Sequence, residues 1–147
     1  MLKELTKNEY RTYLEKKSPN SKVSRNIARA FAIGGIICSV GQIFANYAQM
    51  KGYNQDTVSG ITSLIMIFLG ALLTGLNMYD ELGRYGGAGS IVPITGFANS
   101  IVSPAMEFKT EGYVMGVGAK MFSIAGPVIV YGVSASVILG ILYFITK

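Results

Sequence analysis

The stretch Ile91–Pro127 is apolar enough for a membrane, yet it is repeatedly interrupted by residues that break helices. The candidate breaks and hinges are Pro93, Gly96, Pro104, Gly126 and Pro127. Lipid offers no water to satisfy freed backbone groups, so a broken helix persists in a membrane only where it packs on protein or lines a wet cavity. Passage of a polar solute is the usual reason to keep such a segment. The stretch therefore raises the hypothesis of a solute pathway.

The composition indicates a membrane protein. Of the 147 residues, 50% are hydrophobic and 14% are charged, and the mean hydropathy is +0.41. A soluble domain usually carries about 25% charged residues. We therefore predict an all-α integral membrane protein, with an N-terminal amphipathic helix and about four membrane-embedded helices, the third and fourth broken by glycine and proline.

The chain has few side chains suited to metal or redox chemistry. It has no histidine and one cysteine, Cys38, which lies in an apolar run and is interpreted as a small packing residue. A disulfide within one chain is excluded, and a thiol or imidazole metal site nearly so. Since the residues also assemble no nucleophile–base pair, we predict no enzyme activity, no metal site and no cofactor.

The net charge of +5 arises entirely near the N-terminus. Eight basic and three acidic residues precede Ala30, whereas five of each follow from there onward. A basic arm can bind nucleic acid, but this one adjoins an apolar span, and the positive-inside bias explains it more economically. We predict a cytosolic N-terminus and no nucleic-acid partner. No segment looks like a cleaved signal peptide, so the first span is expected to be retained.

Residues 1–26 are predicted to form a basic amphipathic helix in the cytosol. Thr6 and Glu9 have the spacing of a capping box. The apolar face is formed by Tyr10, Tyr13 and Leu14. We expect this helix to lie against the inner leaflet of the lipid bilayer, where its lysines meet anionic headgroups. A docking helix for a partner protein is the alternative.

The membrane domain is predicted to cover residues 27–147. Its spans are placed at about 27–48, 57–78, 91–108 and 113–145, with a break in the last at 126–127. Asn54 or Asp56 can cap the second span. Segment 80–90 is expected to be a flexible turn, because its glycines lack the spacing and the lysine of a phosphate loop. Small residues four apart in the last span form a candidate helix-packing face: Gly132, Ser136 and Gly140.

Two topologies are open for segment 91–125. In one, it is a pair of re-entrant half-helices that enters and leaves on the same side. In the other, 91–108 spans the membrane and 113–145 is one long helix kinked at 126–127. The second gives an even number of crossings, leaves Lys147 inside and is slightly favoured.

Four polar side chains of this segment are candidates for lining a pore or contacting a substrate: Thr95, Asn99, Ser103 and Lys120. The first three recur at helical spacing, which suits either a polar path or hydrogen bonds between helices. A cation buried in a bilayer costs at least about 2.5–3.5 kcal/mol, so Lys120 is expected to face water, an acidic partner or a substrate. Snorkelling to a nearby interface is the alternative. A functional Lys120 would attract an anion.

Two blocks of the sequence are seldom found in ordinary membrane helices. They are VPITGFANSIV at 92–102 and AGPVIVYG at 125–132. Together with Glu107 to Gly112, Met121-Phe122 and the order of the spans, they make the chain similar to the SpoVA (stage V sporulation A) family. The resemblance covers nearly the whole chain, including the basic N-terminal helix.

The resemblance implies an integral protein of the forespore and spore inner membrane. It implies movement of dipicolinic acid with calcium, by uptake in sporulation and release in germination, through a channel for which gating by membrane tension is proposed. An AE-type membrane protein and a soluble AD-type protein are the implied partners. Dipicolinate is a planar dianion, which suits a basic residue and helix dipoles near the broken segment. The family supplies no catalytic residues.

The leading functional hypothesis is a subunit of a solute channel. A non-conducting scaffold that assembles or gates another permease is the alternative, because glycine-rich helix faces suit it equally well. A secondary transporter is disfavoured, because coupling normally needs a carboxylate within the membrane. About four membrane helices are too few to enclose a pore, so we expect a homo- or hetero-oligomer.

Overall fold

The structure is a computed structural model that describes residues 6–17 and 21–147. In chain order its helices are α1 (Lys7–Lys17), α2 (Val23–Met50), α3 (Gln55–Gly75), α4 (Tyr79–Gly86), α5 (Ala88–Ile91), α6 (Ile94–Glu107) and α7 (Ala119–Thr146). A 3-10 turn at Lys109–Glu111 and a π-helical segment at Tyr113–Gly118 join α6 to α7. The predicted all-α membrane fold is confirmed. Positions 1–5 and 18–20 of the predicted N-terminal domain lie outside the described residues.

Helix α1 begins with the predicted capping box. The Thr6 backbone N–H and hydroxyl donate to Glu9 Oε2 at 2.9 and 2.8 Å, and the Glu9 N–H donates to Thr6 Oγ1 at 3.5 Å. The two bonds that the Glu9 carboxylate accepts from Thr6 lower the pKa of Glu9, and the bond from the Thr6 backbone N–H contributes most. Tyr10, Tyr13 and Leu14 are exposed, so the apolar face of α1 is open to the surroundings.

Within the described ranges, three helices are long and apolar enough to cross a membrane: α2, α3 and the continuous helix Tyr113–Thr146. Helices α2 and α3 pack together and are joined by a short link. The Asn54 side chain accepts a hydrogen bond from the Thr57 N–H at 2.9 Å and caps α3 as predicted. Helix α3 contacts α2, α4 and α6, and its contact with α6 is the most extensive in the described part of the chain.

Helix α3 ends in a Schellman motif built on an asparagine. Asn77 has φ 57°, and its N–H donates to the Thr74 carbonyl at 2.9 Å. The Met78 N–H donates to the Leu73 carbonyl at 2.9 Å. This pattern satisfies the last carbonyls of the helix, and asparagine tolerates the left-handed conformation that it needs. The chain therefore turns directly from α3 into α4.

The expected flexible turn at 80–90 is wrong, because this segment forms most of α4 and most of α5. Its glycines serve close packing instead. A Cβ on Gly89 would overlap the Ala30 carbonyl oxygen, and a Cβ on Gly86 would lie 2.7 Å from Ile33 Cγ2. Glycine at these two positions therefore lets α4 and α5 lie against the first half of α2.

Helix α6 has 14 residues, about 21 Å, which is shorter than the roughly 30 Å of a hydrocarbon core. The stretch predicted as a span at 91–108 is divided, because extended Pro93 separates α5 from α6. A Cβ on Gly96 would overlap the carbonyl oxygens of Ser90 and Ile91, so only glycine allows the chain to turn back this closely. Pro104 lies inside α6.

Helix α6 runs in the same direction as α3. A Cβ on Gly70 would lie 2.8 Å from the Thr95 carbonyl oxygen, and four residues later Thr74 contacts Asn99. Along this contact the residue numbers of α3 and α6 increase in the same direction, so the two helices are parallel. The chain therefore leaves α3, returns through α4 and α5, and runs forward again in α6.

The break predicted at 126–127 is wrong, because α7 continues through Gly126 and Pro127 as one helix. Helix α7 packs on α6, where Ala125 is buried, but no residue of its most apolar 18-residue window is buried. Among the described residues, nothing lies within 4 Å of a Cβ placed on Gly132 or Gly140. The Ser136 hydroxyl bonds to its own helix, at the Gly132 carbonyl. The packing role of this face stays a prediction for contacts with other chains.

Replacing Gly89 by alanine should lower the stability of the protein, because the new Cβ would push α5 away from Ala30 on α2. Overpacking of this kind costs about 1–3 kcal/mol. The matched change Gly35→Ala adds the same methyl group at a helical site with nothing within 4 Å. It should be neutral or stabilising by up to about 1 kcal/mol. Thermal unfolding in detergent measures both, and equal stabilities would contradict the close contact.

Candidate functional site: a polar seam along the short helix

Polar side chains recur every four residues along α6, at Thr95, Asn99, Ser103 and Glu107. Residues four apart share one face of a helix, so these side chains form a stripe. The stripe meets α3 and α4, which supply hydroxyl and phenol groups. We call the buried contact of Thr74, Tyr79, Ser90, Thr95 and Asn99 the polar seam.

The first part of the polar seam joins three segments through Tyr79. The Tyr79 hydroxyl oxygen lies 2.7 Å from the Ser90 carbonyl oxygen and 2.8 Å from Thr95 Oγ1. Tyr79, Ser90 and Thr95 are 3%, 0% and 5% exposed, so water does not compete for these bonds. A phenol satisfies a carbonyl and a hydroxyl together, because it is both donor and acceptor. Tyr79 thus holds the start of α6 against α4 and α5.

The second part of the polar seam joins α3 to α6. Thr74 Oγ1 lies 2.7 Å from the Gly70 carbonyl oxygen and 2.9 Å from Asn99 Oδ1. Gly70 also packs under Thr95, so a hydrogen bond and a close backbone approach occur side by side. Two predicted residues, Thr95 and Asn99, therefore bond between helices in this state of the protein.

Ser103 lies in a cavity of about 270 Å³ at the far end of the stripe. We call it the acidic pocket; it is lined by Thr74, Asn77, Asp80, Ser103, Met106 and Glu107. Its two carboxylates and its amide and hydroxyl groups are hard oxygen ligands, which suit a hydrated or weakly held cation. The described residues include no group of three or more His, Cys, Asp or Glu side chains that could hold a metal ion.

A second polar cavity of about 290 Å³ lies between α2 and α3. We call it the glutamine cleft; its lining includes Gln42, Gln49, Gln55, Ser59, Thr62, Ser63 and Ile94. The Gln42 amide donates to Asn46 Oδ1 at 2.8 Å, while Thr62 Oγ1 is buried with no hydrogen-bond partner. Gln42, Gln49 and Gln55 are exposed, so the cleft is open at the surface of the helix pair. Amides on such a surface need water or protein partners within a membrane, so this cleft is a natural place for water.

The two cavities lie at opposite ends of α6. Ile94, its first residue, lines the glutamine cleft, and Glu107, its last residue, lines the acidic pocket. Between them lie the buried groups of the polar seam and the close contact of Gly70 with Thr95. The polar seam therefore lies between the two cavities, and its groups are joined to one another by direct hydrogen bonds.

Lys120 does not line either cavity. Its Nζ lies 4.4 Å from the centroid of the Phe108 ring, and its side chain is exposed. A cation over an aromatic face is stabilised by the quadrupole of the ring. Because Phe108 follows Glu107, Lys120 lies near the acidic-pocket end of α6 but apart from the three hydroxyl and amide candidates.

Sequence analysis missed three residues that build the site. Tyr79 carried no signal, since an isolated tyrosine beside a span has no pattern. Asp80 falls in the segment predicted as a turn, and no sequence signal sets Thr74 apart from the other small residues of its span. The four-residue spacing that runs from Thr95 to Glu107 was the one signal that pointed to the whole stripe.

These features define a helical membrane protein with a polar interior contact and no sheet in the described part of the chain. The chain belongs to the SpoVAC/SpoVAEB sporulation membrane protein family, whose sequence model matches residues 26–142. It is 44% identical over 144 residues to Stage V sporulation protein AC of Bacillus subtilis (strain 168), an alignment that covers 97% of this chain and 93% of that protein. No solved structure matches it.

Tyr79→Phe should destabilise the protein, because it leaves the Ser90 carbonyl and the Thr95 hydroxyl buried without their shared partner. An unsatisfied buried polar group costs about 1–3 kcal/mol. Tyr47→Phe removes the same hydroxyl from an exposed tyrosine on α2 and should be close to neutral. The measurement is thermal unfolding of both variants in detergent. If Tyr79→Phe leaves the stability unchanged, the hydrogen bonds of the polar seam do not stabilise the fold.

Proposed function

We propose that the protein is a subunit of a membrane channel that moves dipicolinic acid with calcium across the spore inner membrane. Uptake would occur in sporulation and release in germination. The carrying observation is the polar seam, which lies between two polar cavities along a helix too short to span the membrane. We propose that the solute route runs from one cavity to the other through this seam, which is closed here by its hydrogen bonds. Membership of a sporulation membrane family supports the setting. No catalytic role is proposed.

We infer that α4, α5 and α6 form a re-entrant hairpin. Gly89 packs beside Ala30, near the start of α2, and the end of α6 meets Asp80, just beyond the end of α3. The hairpin thus enters and leaves on the side of the N-terminus, which the excess of basic residues places in the cytosol, here the spore core. Three crossings follow, so Lys147 lies on the opposite side. This differs from the even number of crossings favoured from the sequence.

The charges suit a solute that travels with its counterion. The acidic pocket carries Asp80 and Glu107, which repel a free dianion and attract calcium. Lys120 lies near the same end of α6 and attracts carboxylates. A calcium dipicolinate pair carries both positive and negative charge, so it can contact the carboxylates and the lysine in turn. Conduction requires contacts that favour entry but are weak enough to allow release.

Opening of the route requires α6 to separate from α3. The bonds of Tyr79 and Thr74 would then be taken over by water, which satisfies the same groups. Membrane tension favours states of larger in-plane area, and separation of α6 from α3 around a water-filled route produces one. Tension is therefore a suitable stimulus for this closed seam.

The pore itself is expected to form between chains. Helix α7 leaves its most apolar window unburied, and its Gly132, Ser136 and Gly140 face is free for another helix. A second copy or the AE-type membrane protein would supply that helix, and the soluble AD-type protein would join from the aqueous side. The same open face is what favours the second candidate function, a non-conducting scaffold or gating subunit of a transport complex.

The topology can be tested with single cysteines in a Cys38→Ala background. Ser21→Cys and Lys147→Cys should react with an impermeant maleimide from opposite sides of sealed vesicles. Tyr53→Cys, in the exposed link between α2 and α3, should react from the same side as Lys147→Cys. Labelling of the two terminal sites from one side would exclude three crossings.

Ser103→Val should slow dipicolinate release from proteoliposomes by about tenfold or more, because water or solute in the route would lose a polar partner. Asn99→Leu should also change the rate of release, because it removes both a polar partner and the bond to Thr74 that belongs to the closed state. Ser123→Val is the matched control, since that serine is exposed on α7 and bonds back to the Lys120 carbonyl. It should transport normally. Release should increase when the vesicles are stretched osmotically.

The same residues can be tested in spores by measuring dipicolinate loading and release. If Lys120→Gln and Asn99→Leu both assemble and transport normally, the assignment of these residues is wrong. If the purified protein passes no dipicolinate even under tension, while its deletion still abolishes loading, the scaffold function is favoured.

A further inference from the structure

A third cavity, of about 420 Å³, lies where α2 begins. We call it the basic cleft; the residues that matter are Val23, Asn26, Ile27, Arg29, Arg84 and Tyr85. It exists because α4 and α5 pack on α2 through Gly86 and Gly89. That contact brings Arg29 of α2 and Arg84 of α4 to one cleft, although 54 positions separate them in the sequence. The cleft is distinct from the polar seam.

The two arginines are held differently but both keep free donors. The Arg29 guanidinium lies 5.5 Å from the centroid of the Tyr85 ring, which fixes its plane without using its hydrogen-bond donors. Arg84 Nη1 lies 2.9 Å from Glu81 Oε1, with both side chains mostly exposed. An exposed pair of this kind is weak, so an arriving anion can share or replace it. Five donors per guanidinium leave ample capacity.

The rest of the lining is apolar. Val23 and Ile27 are each more than half exposed and lie beside the two arginines and the Asn26 amide. A soluble phosphate gains nothing from such a wall. A ligand with an anionic head and an apolar tail matches both halves of the cleft. Helix α2 is long and apolar enough to span a membrane and the cleft lies at its start, so such a ligand is present in the bilayer at this level.

We propose that the basic cleft binds the phosphate headgroup of an anionic phospholipid. The two guanidinium groups take the phosphate oxygens, and Asn26 donates to the same headgroup. Val23 and Ile27 contact the first carbons of an acyl chain. Because the cleft joins α2 to α4, a bound lipid fastens the base of the α4–α6 hairpin to the first crossing. The proposal does not depend on which solute the protein moves.

The test uses the full-length protein purified in a neutral detergent. Binding of phosphatidylglycerol and of phosphatidylcholine is measured by native mass spectrometry and by the shift in thermal unfolding. The wild type should prefer phosphatidylglycerol. The double variant Arg29→Gln, Arg84→Gln should lose at least about tenfold of that affinity, because hydrogen bonds to charged groups are among the stronger ones.

The control is Lys51→Gln, which removes one cation from the other end of α2. Lys51 Nζ lies 5.5 Å from the centroid of the Tyr47 ring, the same geometry as Arg29 over Tyr85. This variant should bind phosphatidylglycerol like the wild type. If the control and the double variant lose the same amount of affinity for phosphatidylglycerol, the lipid is attracted by positive charge in general. That result would overturn the proposal.

Two further measurements decide the remaining outcomes. Inorganic phosphate alone should neither stabilise the protein nor displace the lipid at millimolar concentration. If it does both, the cleft is a soluble-phosphate site and the lipid proposal is wrong.

Should the double variant fail to fold, Arg29→Lys and Arg84→Lys keep the charges while removing the paired donors. Retention of full lipid affinity in both lysine variants would also overturn the proposal.

Discussion

The structure depends on the close approach of backbones at glycines. Lipid tails are as apolar as the helices, so association within a membrane relies on van der Waals contact and hydrogen bonds between helices. Gly70 lets α6 touch α3, Gly89 lets α5 touch α2, and Gly96 lets the chain turn back between them. A larger side chain at any of these sites would separate the helices. The short hairpin would then have no place in the bundle.

The close approach of α6 to α3 also allows the hydrogen bonds of the polar seam to form between the helices. Hydrogen bonds between membrane helices contribute modestly, about 0.6 kcal/mol on average and up to about 1.7. The bonds of Tyr79 and Thr74 therefore hold α6 in one register without locking it. Each of their groups can be satisfied by water as well as by protein. A contact that is dry when closed and wettable when open is what a gate made from a half-helix requires.

Helix α4 contributes residues of opposite charge to two cavities at the same end of the molecule. Asp80 lies in the acidic pocket, while Arg84 lies in the basic cleft beside Arg29. One short helix thus separates a surface that favours cations from one that favours anions. The first lies at the end of the proposed solute route, and the second lies where lipid meets the first crossing. The Arg84–Glu81 ion pair stands between them.

The sequence by itself determined the class of protein, three of the four predicted spans, the caps at Thr6 and Asn54, and the polar residues of α6. These are properties of composition, of short-range hydrogen bonding and of helical period, all of which are encoded locally. The sequence did not determine the role of Tyr79, the helical state of 80–90 or the pairing of Arg29 with Arg84. Those depend on which helix faces lie together, and glycine contacts between distant segments decide that. The interruption at Pro93 could therefore be predicted from the sequence, but only the tertiary structure decided that α6 packs parallel to α3 through the polar seam.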